Sequence, residues 1–229
     1  FNIAGPKSRE ILQRLSNQNL SKKNWSFMRS GTLSIAGVSC LALRVSFTGD
    51  LGWEIYCDTN KQEIVYKALV QEAVNEQGGP VGSRALMSLR IEKGYGSWSR
   101  EYSPEIWPHE CGLEKLCKLD KEFLNKAALS ENIKNAPREN LVLIHLNEDD
   151  CKVSNADATG GEPIFRNGKG LGRVTSGAYG YSVGMSLALG YVKDAVPGDC
   201  VDVMVLGQPH RGKILKTPPF DPEGKILRS

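Results

Sequence analysis

Arg44-Val45-Ser46-Phe47-Thr48-Gly49-Asp50-Leu51-Gly52-Trp53-Glu54-Ile55-Tyr56 reads as a strand, a sharp turn and a second strand. Residues 41–47 alternate weakly and are rich in β-formers. Thr48-Gly49-Asp50 carries turn chemistry, because glycine reaches positive φ and aspartate bonds its own backbone. In the strand that follows, Trp53 and Ile55 face one way and Glu54 and Tyr56 the other. Two readings of Glu54 stand on these residues alone. A lone strand carboxylate is ordinarily solvated. One held between aromatics at a turn also suits recognition of a flat, hydrogen-bonding ring.

On the N-terminal side, Phe1-Asn2-Ile3-Ala4 reads as the end of a strand and Gly5-Pro6 as the opening of a helix over 6–15. That helix turns Ile11, Leu12 and Leu15 inward and Lys7, Arg9 and Arg14 outward. Phe27, Leu33, Ile35, Val38 and Leu41 belong to short strands broken at Gly31 and Gly37. On the C-terminal side, Thr59-Asn60 caps a helix in which Ile64, Val65, Ala68, Leu69 and Ala73 recur at a period of 3.6. Gln77-Gly78-Gly79-Pro80 ends it, and a further helix runs over about 81–92. Strands alternating with helices in this way predict an α+β sandwich.

Next comes Ile91-Glu92-Lys93-Gly94-Tyr95-Gly96-Ser97-Trp98. It is either a helix cap with aromatics on the core or a loop presenting Tyr95 and Trp98 as a stacking wall. Residues 103–113 form an ordered loop with Glu110 in solvent. Leu116-Cys117-Lys118-Leu119 reads as a short strand, and a short helix covers 125–129. A polar stretch over 130–139 marks the boundary between two domains, 1–138 and 139–229.

The second domain changes character. Leu141-Val142-Leu143-Ile144-His145-Leu146 is a buried strand with a structural histidine. Asn167-Gly168 is the strongest short hairpin signal in the chain. Strands follow at 171–177, 187–192 and 200–205. Turn signals about every ten residues predict a small antiparallel β-barrel.

Composition narrows the function. The chain has 229 residues, 40% hydrophobic and 24% charged, with a formal net charge of +3. That balance is too weak and dispersed to indicate nucleic-acid or membrane partners. Cysteines at 40, 57, 111, 117, 151 and 200 lack CxxC spacing, so reduced structural thiols are expected. Histidines 109, 145 and 210 are far apart, and no metal site is expected. No apolar run reaches the ~18 residues of a membrane span. There is no P-loop, no GxGxxG after a strand, no GxSxG and no HExxH. The chain opens at Phe1 inside an apolar run, without Met or a signal peptide, and is expected to be part of something longer.

Taken together, Ala4-Gly5-Pro6, Phe47-Thr48-Gly49-Asp50-Leu51-Gly52-Trp53-Glu54, Leu89-Arg90-Ile91-Glu92 and Gly172-Arg173-Val174-Thr175-Ser176-Gly177 resemble the folate-binding aminomethyltransferase family. The glycine-cleavage T-protein and the folate regions of sarcosine and dimethylglycine dehydrogenases belong to it. Glu92-Lys93-Gly94-Tyr95 with Trp98, and Pro218-Pro219-Phe220-Asp221-Pro222, are similar to the dehydrogenase branch. The resemblance implies a ferredoxin-like α/β sandwich joined to the barrel, the family's N-terminal domain being absent.

It also implies the site. Glu54 falls where a family glutamate bonds the pterin of tetrahydrofolate, and Phe47 where the T-protein has tyrosine. Tyr95 falls on a family tyrosine near the folate, with Trp98 beside it. Leu86 stands where T-proteins carry arginine, a departure that fits the dehydrogenase branch. No catalytic residue is assigned, since the family's key aspartate lies in the absent domain. FAD would belong only to a domain further upstream. The implied function is binding tetrahydrofolate and capturing a one-carbon unit from a small N-methyl amine as 5,10-methylenetetrahydrofolate. The implied location is cytoplasmic in a bacterium and the mitochondrial matrix in a eukaryote. The alternatives are a standalone folate-dependent aminomethyltransferase or demethylase, and a non-catalytic regulatory homologue.

Overall fold

The structure, a computed structural model, describes residues 1–146 and 156–229. Cys151 lies outside the described residues. The chain divides into two compact units, Phe1–Lys93 with Pro219–Ser229, and Gly94–Pro218. Residues 94–138, which the sequence groups with the first domain, thus pack with the barrel, and the last eleven residues return to the first unit.

The first unit holds β1 (Asn2–Ala4), α1 (Ser8–Leu15), β2 (Ser30–Ile35), β3 (Val38–Leu43), β4 (Gly52–Tyr56), α2 (Gln62–Asn75) and α3 (Ser83–Glu92). Its sheet runs β1-β4-β3-β2, antiparallel throughout. Alternation sorts the faces. Leu33 and Ile35, Cys40 and Ala42, and Trp53 and Ile55 point into one core with Leu12, Val65 and Leu69 of the helices. Glu54 and Tyr56 stand on the opposite, open face, as their spacing requires. The first strand of the opening stretch stops at Leu43, so residues 44–51 form one long turn. Helix α2 is entered through a 3-10 turn over Thr59–Lys61, closed by Lys61 N–H to the Asp58 carbonyl at 2.9 Å. The side-chain cap expected from Thr59 and Asn60 is not made.

The second unit holds α4 (Lys126–Asn132), β5 (Asn140–Leu146), β6 (Pro163–Arg166), β7 (Lys169–Gly180), β8 (Met185–Val192), β9 (Cys200–Val205) and β10 (Gln208–Ile214). The six strands close into an antiparallel barrel in the order β10-β5-β8-β7-β6-β9. Asn167 and Gly168 both take positive φ, 53° and 76°, the conformation a tight two-residue hairpin demands. Ala188 and Val192 fill the barrel interior. Leu187, Leu189 and Tyr191, which alternate with them, are also buried, and Tyr191 donates from its hydroxyl to the Glu101 carbonyl at 2.7 Å. Burial on both faces explains why β8 reads as a continuous apolar run.

Two local expectations fail in residues 94–138. Residues 116–119 are not a strand; a 3-10 turn, Glu114–Leu116, stands there, because Gly112 at φ 74° and the Leu113 N–H bond to the Pro108 carbonyl coil the chain first. Glu110 is buried rather than solvated. It accepts Arg138 Nε at 2.8 Å, Arg138 Nη2 at 2.7 Å, and the backbone N–H groups of Trp107 at 2.9 Å and Arg138 at 3.1 Å.

These bonds, those from the Arg138 guanidinium first, hold the Glu110 carboxyl down at about 2 against the opposing effect of burial. A carboxyl depressed by folding contributes stability above its unfolded range and loses it as pH falls towards the folded value. With the exposure of Arg138 allowed for, the contribution is on the order of 2 kcal/mol. Urea unfolding should therefore show Glu110→Gln clearly weaker than wild type near pH 6, with the gap narrowing below about pH 4 and closing towards about pH 2.

Candidate functional site

In the first unit the site is built around the 44–51 turn. Gly49 takes φ 84°, and a Cβ there would meet Lys93 Cδ at 2.6 Å, so the turn rests directly on the lysine stem. The Lys93 ammonium is 3.1 Å from the Asp221 carboxylate and also bonds the Asp221 carbonyl. Both side chains are 5% exposed. Burial pushes the Asp221 carboxyl up, but amide bonds from Leu227 and Ile226 and the Lys93 ammonium outweigh it and leave the group below its ordinary range. Within the turn, the Thr48 hydroxyl lies 3.1 Å from that of Ser46 and donates to Asp50 at 3.2 Å. Burial raises the Asp50 carboxyl. The side chain that organises the turn is thus Thr48, which also accepts the Asp50 N–H at 3.4 Å. Aspartate does not bond its own backbone here as the turn chemistry suggests.

Two guanidinium groups lie over the Trp53 ring. The Arg44 guanidinium lies 4.8 Å and that of Arg9 5.1 Å from the ring centre. Arg44 is fully buried and donates to the carbonyls of Gly52 at 3.2 Å and Leu227 at 2.8 Å. Burial first, and the charge of Arg9 second, lower it to about 10. Trp53 also borders a small cleft, partly open to solvent. Phe47, Trp53, Leu86, Ile3 and Val45 give it apolar walls, and Asn2, Ser46 and Thr48 add polar ones.

Glu54 stands half-buried on the open sheet face, opposite Asn2 on one side and Leu43 on the other. Tyr56 donates its hydroxyl to Glu54 Oε2 at 2.6 Å, which raises the phenol. Among the described residues Glu54 accepts no other hydrogen bond, so acceptor capacity remains facing outward.

Tyr95 and Trp98 belong to the second unit. Tyr95 is half-buried. Trp98 is 83% exposed and stands edge-on to Tyr102, with ring centres 6.2 Å apart. The structure therefore brings Phe47 and Leu86 into one cleft and pairs Glu54 with Tyr56, while Tyr95 and Trp98 stand in the other compact unit.

Glu101, a second buried carboxylate of the second unit, carries no signal in the sequence. It accepts the Ser97 N–H at 2.8 Å, the Ser97 hydroxyl at 3.2 Å, the Thr175 hydroxyl at 2.6 Å and the Ser176 hydroxyl. Consecutive strand residues ordinarily face opposite ways. The register shift between Val174 and Ser176 is a bulge that turns both hydroxyls to one carboxylate. Thr175-Ser176 is visible in the sequence, but nothing there pairs it with a glutamate 74 residues earlier. Asn2, which lines the cleft, likewise reads only as a strand residue.

An antiparallel sheet backed by helices and a terminal six-stranded barrel together define a class. Residues 1–121 match the GCVT N-terminal domain and residues 140–221 the glycine cleavage T-protein C-terminal barrel domain. The chain belongs to the glycine-cleavage T-protein, or aminomethyltransferase, family. It is 34% identical to human mitochondrial dimethylglycine dehydrogenase over 94% of its own length and 25% of that protein's. It is 33% identical to the formaldehyde-forming 4-methylaminobutanoate oxidase of Paenarthrobacter nicotinovorans over 99% of this chain and 27% of the oxidase. With the aminomethyltransferase of Halothermothrix orenii it shares 31% over 94% of this chain and 59% of that one. The chain thus spans about a quarter of the length of its dehydrogenase and oxidase relatives. The solved aminomethyltransferase T of Bartonella henselae matches with a TM-score of 0.83 at 22% identity, over 96% of this chain and 59% of that one, and shares the fold. No helix among the described residues is long and apolar enough to cross a membrane.

Proposed function

We propose that this chain is the tetrahydrofolate-binding region of a sarcosine- or dimethylglycine-dehydrogenase-like enzyme, taking up a one-carbon unit from a small N-methyl amine. Family membership and the dehydrogenase relatives support the reading. The observation that carries it is Glu54, a carboxylate on an open sheet face whose single hydrogen-bond partner among the described residues is the Tyr56 hydroxyl. The group fits the residues. A pterin edge presents a 2-amino group and an N3–H, both donors, and an ionised carboxylate is acceptor-only. Phe47 and Leu86, which line the small cleft in the same unit, offer apolar surface to a flat ring. Leu86 supplies no charge there, in keeping with the dehydrogenase branch.

When bound, tetrahydrofolate supplies the nitrogens that take up the one-carbon unit to give 5,10-methylenetetrahydrofolate. The part of this chain is to hold the ring by Glu54, with Phe47 beside it, and to orient it away from water. Tyr95 and Trp98 are the aromatic residues that the family resemblance adds to this role. The mitochondrial relatives support a matrix location in a eukaryotic source, and a bacterial source would place it in the cytoplasm.

Calorimetric titration with 5-formyltetrahydrofolate tests the anchor. Glu54→Gln keeps the shape but turns an amide N–H₂ towards a donor. It should weaken binding by about 10- to 100-fold, the value of a hydrogen bond to a charged group. Equal affinity of the two proteins, or no binding by either, would remove Glu54 from this role.

A further inference from the structure

We infer that Cys40 and Cys57 form a reversible cross-strand disulfide that locks the 44–51 turn under oxidising conditions. The inference stands whether or not Glu54 holds a pterin. Phe1 and Ile55 exchange both backbone hydrogen bonds, at 2.6 and 2.7 Å, so the polar groups of Ile55 point towards β1. On the β3 side, Ala42 opposite Ile55 is therefore a non-hydrogen-bonded pair. Two residues further along each strand the same register sets Cys40 opposite Cys57, just past the end of β4, as a pair of the same kind. Such pairs bring Cα atoms to about 4.5 Å, inside the window of about 4.4–6.8 Å that a disulfide spans. Both sulfurs face the helix-covered side of the sheet, where Cys57 packs on the core that contains Cys40.

Both thiols are free in this structure. Cys40 is buried and its Sγ–H points to the Val38 carbonyl at 3.5 Å. Burial first, and the neighbouring Cys57 second, push its thiol up. Cys57 is half-exposed and is the sulfur a peroxide reaches. Its thiolate attacks one peroxide oxygen, the O–O bond breaks, and a sulfenic acid and one water result. Cys40 then attacks the Cys57 sulfur, releasing the second water as the S–S bond forms. The two thiols lose two electrons and hydrogen peroxide gains them. The resulting ring encloses the entire turn between β3 and β4, with Phe47 and Glu54 inside it, and restricts its opening.

The test treats the purified protein with hydrogen peroxide, alkylates the remaining thiols and maps peptides by mass spectrometry. The expected result is a peptide linking Cys40 to Cys57, two hydrogens lighter, abolished by dithiothreitol and absent from Cys57→Ala. In Cys40→Ala, Cys57 should instead be captured as a sulfenic acid by dimedone. Hydrogen exchange over residues 44–52 should slow on oxidation and recover on reduction in wild type only. Should Cys40→Ala not fold, Cys57→Ala and the exchange measurement decide. A link confined to Cys111 and Cys117, or over-oxidation of Cys57 with Cys40 still alkylated, would overturn the inference.

Discussion

Gly172→Ala should destabilise the barrel by about 3 kcal/mol or more, a drop of roughly 6–12 °C in its thermal midpoint. A Cβ at this position would sit 1.8 Å from the Tyr191 carbonyl oxygen and 2.8 Å from its carbon. Both are backbone atoms of β8, the strand buried on both faces, so no side-chain rotation relieves the overlap. Relief requires β7 to separate from β8, breaking the ladder that pairs Gly172 with Val192. Gly170→Ala, two residues earlier on the same strand, is the control. Its Cβ meets only Phe165 Cε1 at 3.9 Å, an ordinary contact, and the midpoint should move little. Scanning calorimetry of the two variants separates a packing requirement at Gly172 from a general cost of alanine in β7.

Lys93→Met should cost about 3 kcal/mol by leaving the Asp221 carboxylate buried without its cation. Methionine keeps the aliphatic stem that supports Gly49, so the loss reports the charge rather than the shelf. Asp221→Asn retains the positive φ of 42°, which asparagine tolerates, and should cost less. The double variant should lose clearly less than the sum of the two, because the pair is in direct contact at 3.1 Å. Limited proteolysis gives a second readout, with Pro219–Ser229 cut faster in Lys93→Met. Additive losses in urea unfolding would show that the two groups act independently.

Much of the local structure is legible in the residues. Alternation puts Trp53 and Ile55 inside and Glu54 and Tyr56 outside, because a strand has a period of two. Asn167-Gly168 places a hairpin, and the apolar period places α1 and α2. The errors have physical causes. Residues 116–119 have strand composition but sit behind a glycine at positive φ that coils the chain. Glu110 looks like any loop carboxylate until Arg138 reaches it from 28 residues away.

For the candidate site, the motif that carries Phe47, Glu54, Tyr95 and Trp98 is readable, and with it the family. What each residue touches is not. Glu54 and Tyr56 become a bonded pair, Phe47 and Leu86 become two walls of one cleft, and Trp98 stands largely in solvent.

By itself the sequence determined most of the elements, the barrel and the family, since these follow from short-range periodicity, turn chemistry and motif. Tertiary structure alone decided the partners of the buried charges. Lys93 finds Asp221 from 128 residues away, and Glu101 finds Thr175 and Ser176 through a bulge. A buried charge must be paired to be stable. Which partner it takes depends on how distant segments pack, and no local pattern of residues encodes that choice.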